Sequence, residues 1–329
     1  MNPTAVVMPM QRGNSFGDLL VQCPFLHGLK ASLGATRVVV IAPHAFVQLV
    51  GDLGLADAVH VIDDRDVGRI KTILREEQPR WAVTLRGSSL RSSWLVRQCR
   101  GAQRAGWSNL INRLLLDVTV PRVRDDYYAR VFGRILEAMG GTLDIAATGK
   151  AIAEAHPDDA LPPGRNRLVC MPAGKVAAKQ WGVANYLALG DRLSERWPDL
   201  QKVVVLGPRE ADLAAPFTAA GWVTRVAPAP RRLAALCQDA TCIVANDCGP
   251  GHIAQMSGRP MTILFHNSHG QEARDRLLRL WWWRRPHSRA ISTRDEGPIA
   301  DVPVDLVADT AIDSVDDATP PTDPIWWAE

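Results

Sequence analysis

The chain has no apolar run near the roughly 18 residues that a membrane-spanning helix requires; stretches such as Val38 to Ala42 and Leu114 to Leu116 stop well short of it. A transmembrane anchor is therefore not expected. Residues Met1 to Gln11 lack the cationic start and long apolar core of a secretory signal, so the expected location is the cytoplasm. The six cysteines, Cys23, Cys99, Cys170, Cys237, Cys242 and Cys248, include no C-x-x-C pair. That removes the usual zinc and dithiol patterns and leaves buried thiols as the expectation. A large charge of one sign is missing too. The 38 Lys+Arg and 35 Asp+Glu leave a net +3, so nothing supports binding to nucleic acid through bulk charge. No G-x-G-x-x-G follows a predicted strand, and Gly149-Lys150 runs into Ala151 without the upstream glycine of a P-loop. Nicotinamide binding and ATP hydrolysis lose their main support, and no cofactor is expected. Tyrosine (3) and phenylalanine (6) are scarce while tryptophan numbers 11, three of them consecutive at Trp281-Trp282-Trp283.

What is present reads as two globular domains. A length of 329 residues exceeds one ordinary domain, and 47% hydrophobic with 22% charged residues is an average soluble composition. Short β-branched runs alternate with amphipathic stretches, the pattern of βαβ units around parallel sheets. Strands are predicted at Ala5 to Met8, Val38 to Ile41, Val59 to Ile62 and Trp81 to Leu85, with helices at Asp18 to Leu33, Ala45 to Leu53 and Val67 to Glu77. A second series places strands at Leu168 to Met171, Val203 to Leu206, Val223 to Val226, Cys242 to Ala245 and Met261 to Phe265. Its helices are predicted at Val183 to Arg196, Arg209 to Ala220, Pro230 to Asp239 and Gly251 to Ser257. Between the series, Ala151 to Asn166 loses all periodicity and gathers Ala, Pro, Asp and Gly, as a linker does. The expected domains are 1–158 and 159–329, with a tail helix at Thr310 to Ala318 that returns to the first domain.

Ligands of open α/β sheets sit where strand ends feed helix N-termini, so the loops there are the places to look. Gln11 to Asp18 puts Gly13, Gly17 and the Asp18 carboxylate after the first strand; Asp18 is a candidate general base or else a helix N-cap. Ala173 to Trp181 brings Lys175 and Lys179 before a helix start, an arrangement that suits an intervening phosphate or an ordinary solvated loop. Asn246-Asp247-Cys248-Gly249-Pro250-Gly251-His252 also joins a strand to a helix. There Gly249 and Gly251 open the backbone N–H groups to a diphosphate, and Asp247 suits sugar hydroxyls; a turn without ligand is the alternative. Arg86, Arg91, Arg97, Arg100, Arg104 and Arg113 form either a solvated helix face or a surface for an anionic acceptor. His266 and His269 have H-x-x-H spacing but no acidic helper, and no metal site is expected.

Four segments in order, Ser15 to Asp18, Thr84 to Ser92, Ala173 to Gly182 and Asn246 to His252, resemble glycosyltransferase family 9, the ADP-heptose:lipopolysaccharide heptosyltransferases and their relatives, over about residues 5 to 270. The resemblance implies a GT-B architecture: two Rossmann-like domains facing across a cleft, the acceptor on the first and a nucleotide sugar on the second. It also implies metal-independent inversion at the anomeric carbon. By motif, Asp18 is the implied general base, with Ser15, Gly17, Arg86 and Arg91 on the acceptor side. Lys175, Lys179, Glu210, Asp247, Cys248, Gly249, Gly251 and His252 make the implied donor site. The implied reaction moves heptose from ADP-heptose to an acceptor hydroxyl, by default on the anionic lipopolysaccharide inner core, with peripheral contact at the inner membrane. Alternatives are another nucleotide sugar, a small-molecule or protein acceptor, or a GT-B sugar-nucleotide 2-epimerase. The chain departs from the family pattern at Cys248, where Ser or Thr is usual, at Phe265 to Gly270, and at Trp281 to Arg285. The last cluster suits packing, a membrane surface or stacking on a sugar or base.

Overall fold

The computed structural model describes residues 3–10, 16–44, 47–87, 89–123, 125–154, 166–174, 176–266, 270–293, 297–321 and 323–327, without the side chains of 271, 326 and 327. They belong to two compact units, Met1–Thr148 and Gly149–Glu329. The position expected for the domain boundary, between 158 and 159, lies outside the described residues.

The first unit runs β1 (Thr4–Met8), α1 (Phe16–Leu20), α2 (Cys23–Ala31), β2 (Arg37–Ala42), α3 (Gln48–Asp52), β3 (Ala58–Val61) and α4 (Val67–Glu77). It continues with β4 (Trp81–Thr84), α5 (Leu90–Arg97), β5 (Gln103–Trp107), α6 (Asn112–Leu115), β6 (Val118–Val120) and α7 (Tyr128–Ala138); α8 (Ile145–Glu154) carries the chain into the second unit. The six strands form one parallel sheet in the order β3-β2-β1-β4-β5-β6. Every residue of β1, and all of β2 beyond Arg37, is buried, as parallel strands covered on both faces must be. Val6, Met8, Val39, Ile41, Ile70, Leu74, Leu95 and Val96 close one core over this sheet. The helix predicted from Asp18 to Leu33 is broken into α1 and α2, because Pro24 lies in the first turn of α2 and has no N–H to continue a helix from upstream. The stretch after β4, for which no strand was predicted, supplies β5 and β6. Gln-Arg-Ala-Gly-Trp is too polar and Val-Thr-Val, at three residues, too short to announce itself.

The second unit runs β7 (Arg167–Met171), α9 (Val183–Arg196), β8 (Gln201–Leu206), α10 (Ala214–Ala219), β9 (Val223–Val226), α11 (Pro230–Gln238), β10 (Cys242–Asn246) and α12 (Gly249–Met256). Then come β11 (Met261–Phe265), α13 (Gly270–Trp281), β12 (Ser288–Thr293), α14 (Val304–Asp316) and β13 (Ile325–Trp327). The sheet is parallel, in the order β13-β12-β11-β10-β7-β8-β9. Counted from its own first strand, it repeats the order of the first sheet and adds one strand. The tail helix, expected over Thr310 to Ala318 and on the first domain, is α14, and its Val307, Ala308 and Ala311 lie in the core of the second unit. The segment before it is pinned there as well: Trp181 Nε1 donates to the Val302 carbonyl at 2.8 Å and Asn185 Nδ2 to that of Ala300 at 2.8 Å.

Candidate active site

In a sheet of this order, the first and fourth strands are neighbours whose chain connections run to opposite sides, and the crevice at their carboxyl ends is the natural ligand position. In the first unit those strands are β1 and β4. Gln22, fully buried, holds the exit of β1: Met10 N–H donates to its Oε1 at 2.7 Å, and its Nε2 donates to the Met10 carbonyl at 2.8 Å and to the Asp18 carbonyl at 2.6 Å. Met10 is thereby fastened to the segment that carries Asp18. Asp18 is the third residue of α1, buried, with Gly17 before it. A helix that starts at Phe16 has its N-cap position earlier, so Asp18 is not the N-cap. Ser15 lies outside the described residues.

Arg86, at the exit of β4, is engaged within its own unit. Its Nε donates to the Pro9 carbonyl at 3.2 Å and its Nη2 to the Ile41 carbonyl at 3.3 Å, while Nη1 pairs with Asp64. The side chain is only 12% exposed and ties together the ends of β1, β2 and β4. Arg91, on the first turn of α5, is exposed. Sequence reasoning missed Arg122, whose guanidinium covers Gly87 so closely that a Cβ there would lie 2.3 Å from Nη1; it also reaches Met10 Sδ at 3.9 Å and the Trp107 ring. Nothing in the local sequence marks it, because it arrives from the far end of the sheet.

In the second unit the corresponding strands are β7 and β10. Asn246, the last residue of β10, is fully buried, accepts the Tyr186 hydroxyl at 2.8 Å and donates to the Pro172 carbonyl at 2.7 Å. One amide thus clamps β10, the exit of β7 and α9. The loop after β7 curls tightly: a Cβ on Gly174 would lie 2.8 Å from the Lys179 carbonyl, and Gly182 (φ 93°) takes a left-handed turn into α9. That curl delivers Lys179, whose Nζ meets Asp247 Oδ2 at 2.7 Å, the two side chains being 25% and 15% exposed. Lys175 lies outside the described residues.

Asp247 and Cys248 lead into α12, with Cys248 at its N-cap, Gly249 first in the helix and Gly251 buried at the third position. The residue Cys248 keeps partial exposure, yet burial of its thiol pushes the pKa up to about 12. The Gly251 N–H pulls it down, Asp247 and Glu210 raise it, and Lys179 lowers it. The thiol therefore senses all four groups. Glu210 belongs to the turn after β8, where its carboxylate folds over Gly207, so that a Cβ on that glycine would lie 2.4 Å from Oε2. His252 is buried, which lowers its pKa below the ordinary value; Asp247 opposes this and Lys179 adds to it. The structure brings Lys179, Glu210, Asp247, Cys248, Gly251 and His252 to one edge of the second sheet.

The tryptophan cluster continues from there. The Trp281 ring lies 5.2 Å from that of His252, and Gln255 donates to the Trp281 carbonyl at 3.0 Å while accepting Trp283 N–H at 2.7 Å. Trp282 is buried and bonds Ser288 Oγ at 2.9 Å, with Arg284 over its ring and Arg285 over that of Trp283. Packing is what these rings do, with Trp281 reaching His252 on α12. Cys248 is partly exposed and the other five cysteines are buried. Among the described residues no group of three or more His, Cys, Asp or Glu gathers as for a metal; His269 lies outside them. No helix among them is long and apolar enough to cross a membrane.

Two doubly wound parallel sheets, each with its polar loops gathered where the strand order turns, are the two Rossmann-like domains of the GT-B fold. Within that class the chain belongs to glycosyltransferase family 9, the heptosyltransferase family, whose model matches residues 67–277. Among solved structures it is similar to a family 9 glycosyl transferase from Veillonella parvula, at 16% identity and a TM-score of 0.68, with 95% of this chain and 97% of that one covered. It is similar also to E. coli ADP-heptose lps heptosyltransferase II (19% identity, TM-score 0.63, 95% and 98% covered). E. coli heptosyltransferase WaaC with ADP shows the same fold at 14% identity, TM-score 0.67, with 94% and 99% covered. No curated protein matches the chain by sequence.

Proposed function

We propose that the chain is an inverting, metal-independent transferase that moves heptose from ADP-heptose to an acceptor hydroxyl, with an anionic glycolipid of the lipopolysaccharide inner core as the default acceptor. The observation that carries this reading is the Lys179–Asp247 pair set beside the N-terminus of α12, where a cation, the positive end of a helix and a carboxylate suited to sugar hydroxyls meet. In this reading Lys179, Lys175 and the first turn of α12, from Gly249 to Gly251, receive the diphosphate. Asp247, Cys248 and His252 border the sugar, and Glu210 lies toward the nucleoside.

The reaction is a single displacement. Asp18 accepts the proton of the acceptor hydroxyl as its oxygen bonds the anomeric carbon from the side opposite the diphosphate. The carbon–oxygen bond to the β-phosphate breaks, and its electron pair leaves with ADP, whose new charge Lys179 and the α12 N–H groups stabilise. Arg86 positions the strand ends beneath Asp18, and Arg91 is the exposed cation offered to the acceptor. The enzyme works in the cytoplasm on a lipid-borne acceptor. ADP release by the purified chain from ADP-heptose and inner-core acceptor tests the reading. Release with another nucleotide sugar only, or with another acceptor only, reassigns that substrate. An epimerised sugar nucleotide from donor alone replaces the transferase with a 2-epimerase.

A further inference from the structure

We propose that the face of the first unit built by α5 and the segment around α6 docks onto a bilayer that carries anionic phospholipids. The two helices pack beside each other. Leu95 and Val96 of α5, and Leu116 after α6, point into the core. The opposite side should then be polar, and it is not. Leu110 is 83% exposed and Leu114 81%, with Leu90, Trp94 and Ile111 between 41% and 47%. Isolated exposed leucines are ordinary; five large apolar side chains on two adjoining helices and the turn that leads into the second, Leu110 and Ile111, are a patch that water does not favour.

Charge selects the occupant. From residue 78 to residue 116 the chain contains seven arginines and no Asp or Glu. Arg86 and Arg104 are neutralised within the unit by Asp64 and Asp117. Arg91, Arg97, Arg100 and Arg113 are exposed on or beside the same two segments, and Lys71 lies over the Trp94 ring at 4.4 Å. Leucines that can enter the acyl boundary, a tryptophan suited to the headgroup level and exposed arginines around them match an anionic membrane surface. A neutral apolar protein partner would leave those cations without counter-charge. Both segments also leave the sheet from the carboxyl ends of β4 and β5, the edge that carries Arg86 and the Asp18 loop, so a docked unit holds that edge close to the lipid. The inference does not depend on the proposed reaction, and its test uses vesicles without glycolipid.

Co-sedimentation of the full chain with phosphatidylcholine vesicles, with and without 30% (roughly a physiological share) phosphatidylglycerol, is the measurement. Binding is expected only with the anionic lipid, and it must weaken as salt is raised. L110S/L114S is expected to lower the partition coefficient at least about tenfold, and R97A/R100A about fivefold for each arginine removed. Circular dichroism melting checks that the variants fold, and the salt dependence of the unaltered protein stands without them. Equal binding to both vesicle types, binding indifferent to salt, or L110S/L114S that binds like the parent would overturn the proposal. So would a dimer that dissociates on L110S/L114S in a protein that ignores vesicles, which assigns the face to a second copy.

Discussion

Replacing Asn246 with alanine should unfasten the second unit from its center. The side chain is fully buried, and it joins three elements through two hydrogen bonds, from Tyr186 at 2.8 Å and to the Pro172 carbonyl at 2.7 Å. Alanine removes both, at about 1 kcal/mol each, and strands a hydroxyl and a carbonyl whose desolvation costs about 1–3 kcal/mol apiece when unsatisfied. Some of that is recovered if Tyr186 shifts, so a net loss of about 3–5 kcal/mol is expected, a large part of the roughly 5–15 kcal/mol that holds a domain. For a unit of this size each 1 kcal/mol moves the melting temperature by about 2–4 °C, so the calorimetric transition should fall by roughly 6–20 °C. N246D separates the donor from the acceptor. Its second oxygen can donate to the Pro172 carbonyl only when protonated, so burial and that carbonyl raise the folded-state pKa of the introduced carboxyl. A raised folded pKa means the stability of N246D, relative to the parent, is greatest below about pH 4 and is lost as pH rises. A shift under about 3 °C for N246A, or an N246D deficit that shrinks toward neutral pH, would refute the clamp.

The site makes four further demands. D18N should lower turnover by about 10²–10⁴-fold, the range of a lost general base, while ADP still raises the melting temperature; full activity would return Asp18 to a structural role. K179A should weaken ADP binding by about 10–100-fold in titration calorimetry, because a charge-assisted contact is lost, with little change in the melting temperature of the unliganded protein. With its pKa near 12, the Cys248 thiol carries only about 10⁻⁴ thiolate at pH 8, so the native protein should react with a thiol reagent orders of magnitude more slowly than free cysteine; rapid release of one equivalent contradicts the burial of that thiol. Burial lowers the pKa of His252, so the unfolded chain takes up its proton first as pH falls. The stability owed to keeping this ring neutral is present above the unfolded value of about 6.5 and is lost below it, and H252N should flatten that part of the stability–pH curve.

Strand and helix positions were legible where the hydrophobic pattern was strong. α4 and α9 fall on their predicted bounds because each has an apolar stripe facing the sheet, and α4 also has Asp66 as its N-cap. β5, β6, β12 and β13 were not legible. Pairing with a neighbour already in place makes them strands, and no residue of β5 except the final Trp107 favours that state by itself. The same division holds for the site. Lys179 and Asp247 sit on loops, and His252 on the first turn of the helix that follows, whose glycines and strand-to-helix position are visible in one dimension. Gln22, Arg122, Asn246 and Gln255 act by joining segments far apart in the chain, and a linear reading has no signal for a bond between Gln255 and Trp283, 28 residues on. Arg86 is a cation whose position at the edge of the sheet was legible, while its bonds to Pro9, Ile41 and Asp64 were not.

The contact between Trp281 and His252 gives the molecule an internal optical reporter. An indole beside an imidazole emits while the imidazole is neutral and is quenched when it gains a proton, and His252 also lies within the electrostatic reach of Asp247 and Lys179. Anything that draws Lys179 away from Asp247 changes the field on that imidazole and, through it, the light the indole returns. Occupancy of the loop can thus be followed in the unlabelled protein, with W281F as the blank that subtracts the other ten tryptophans.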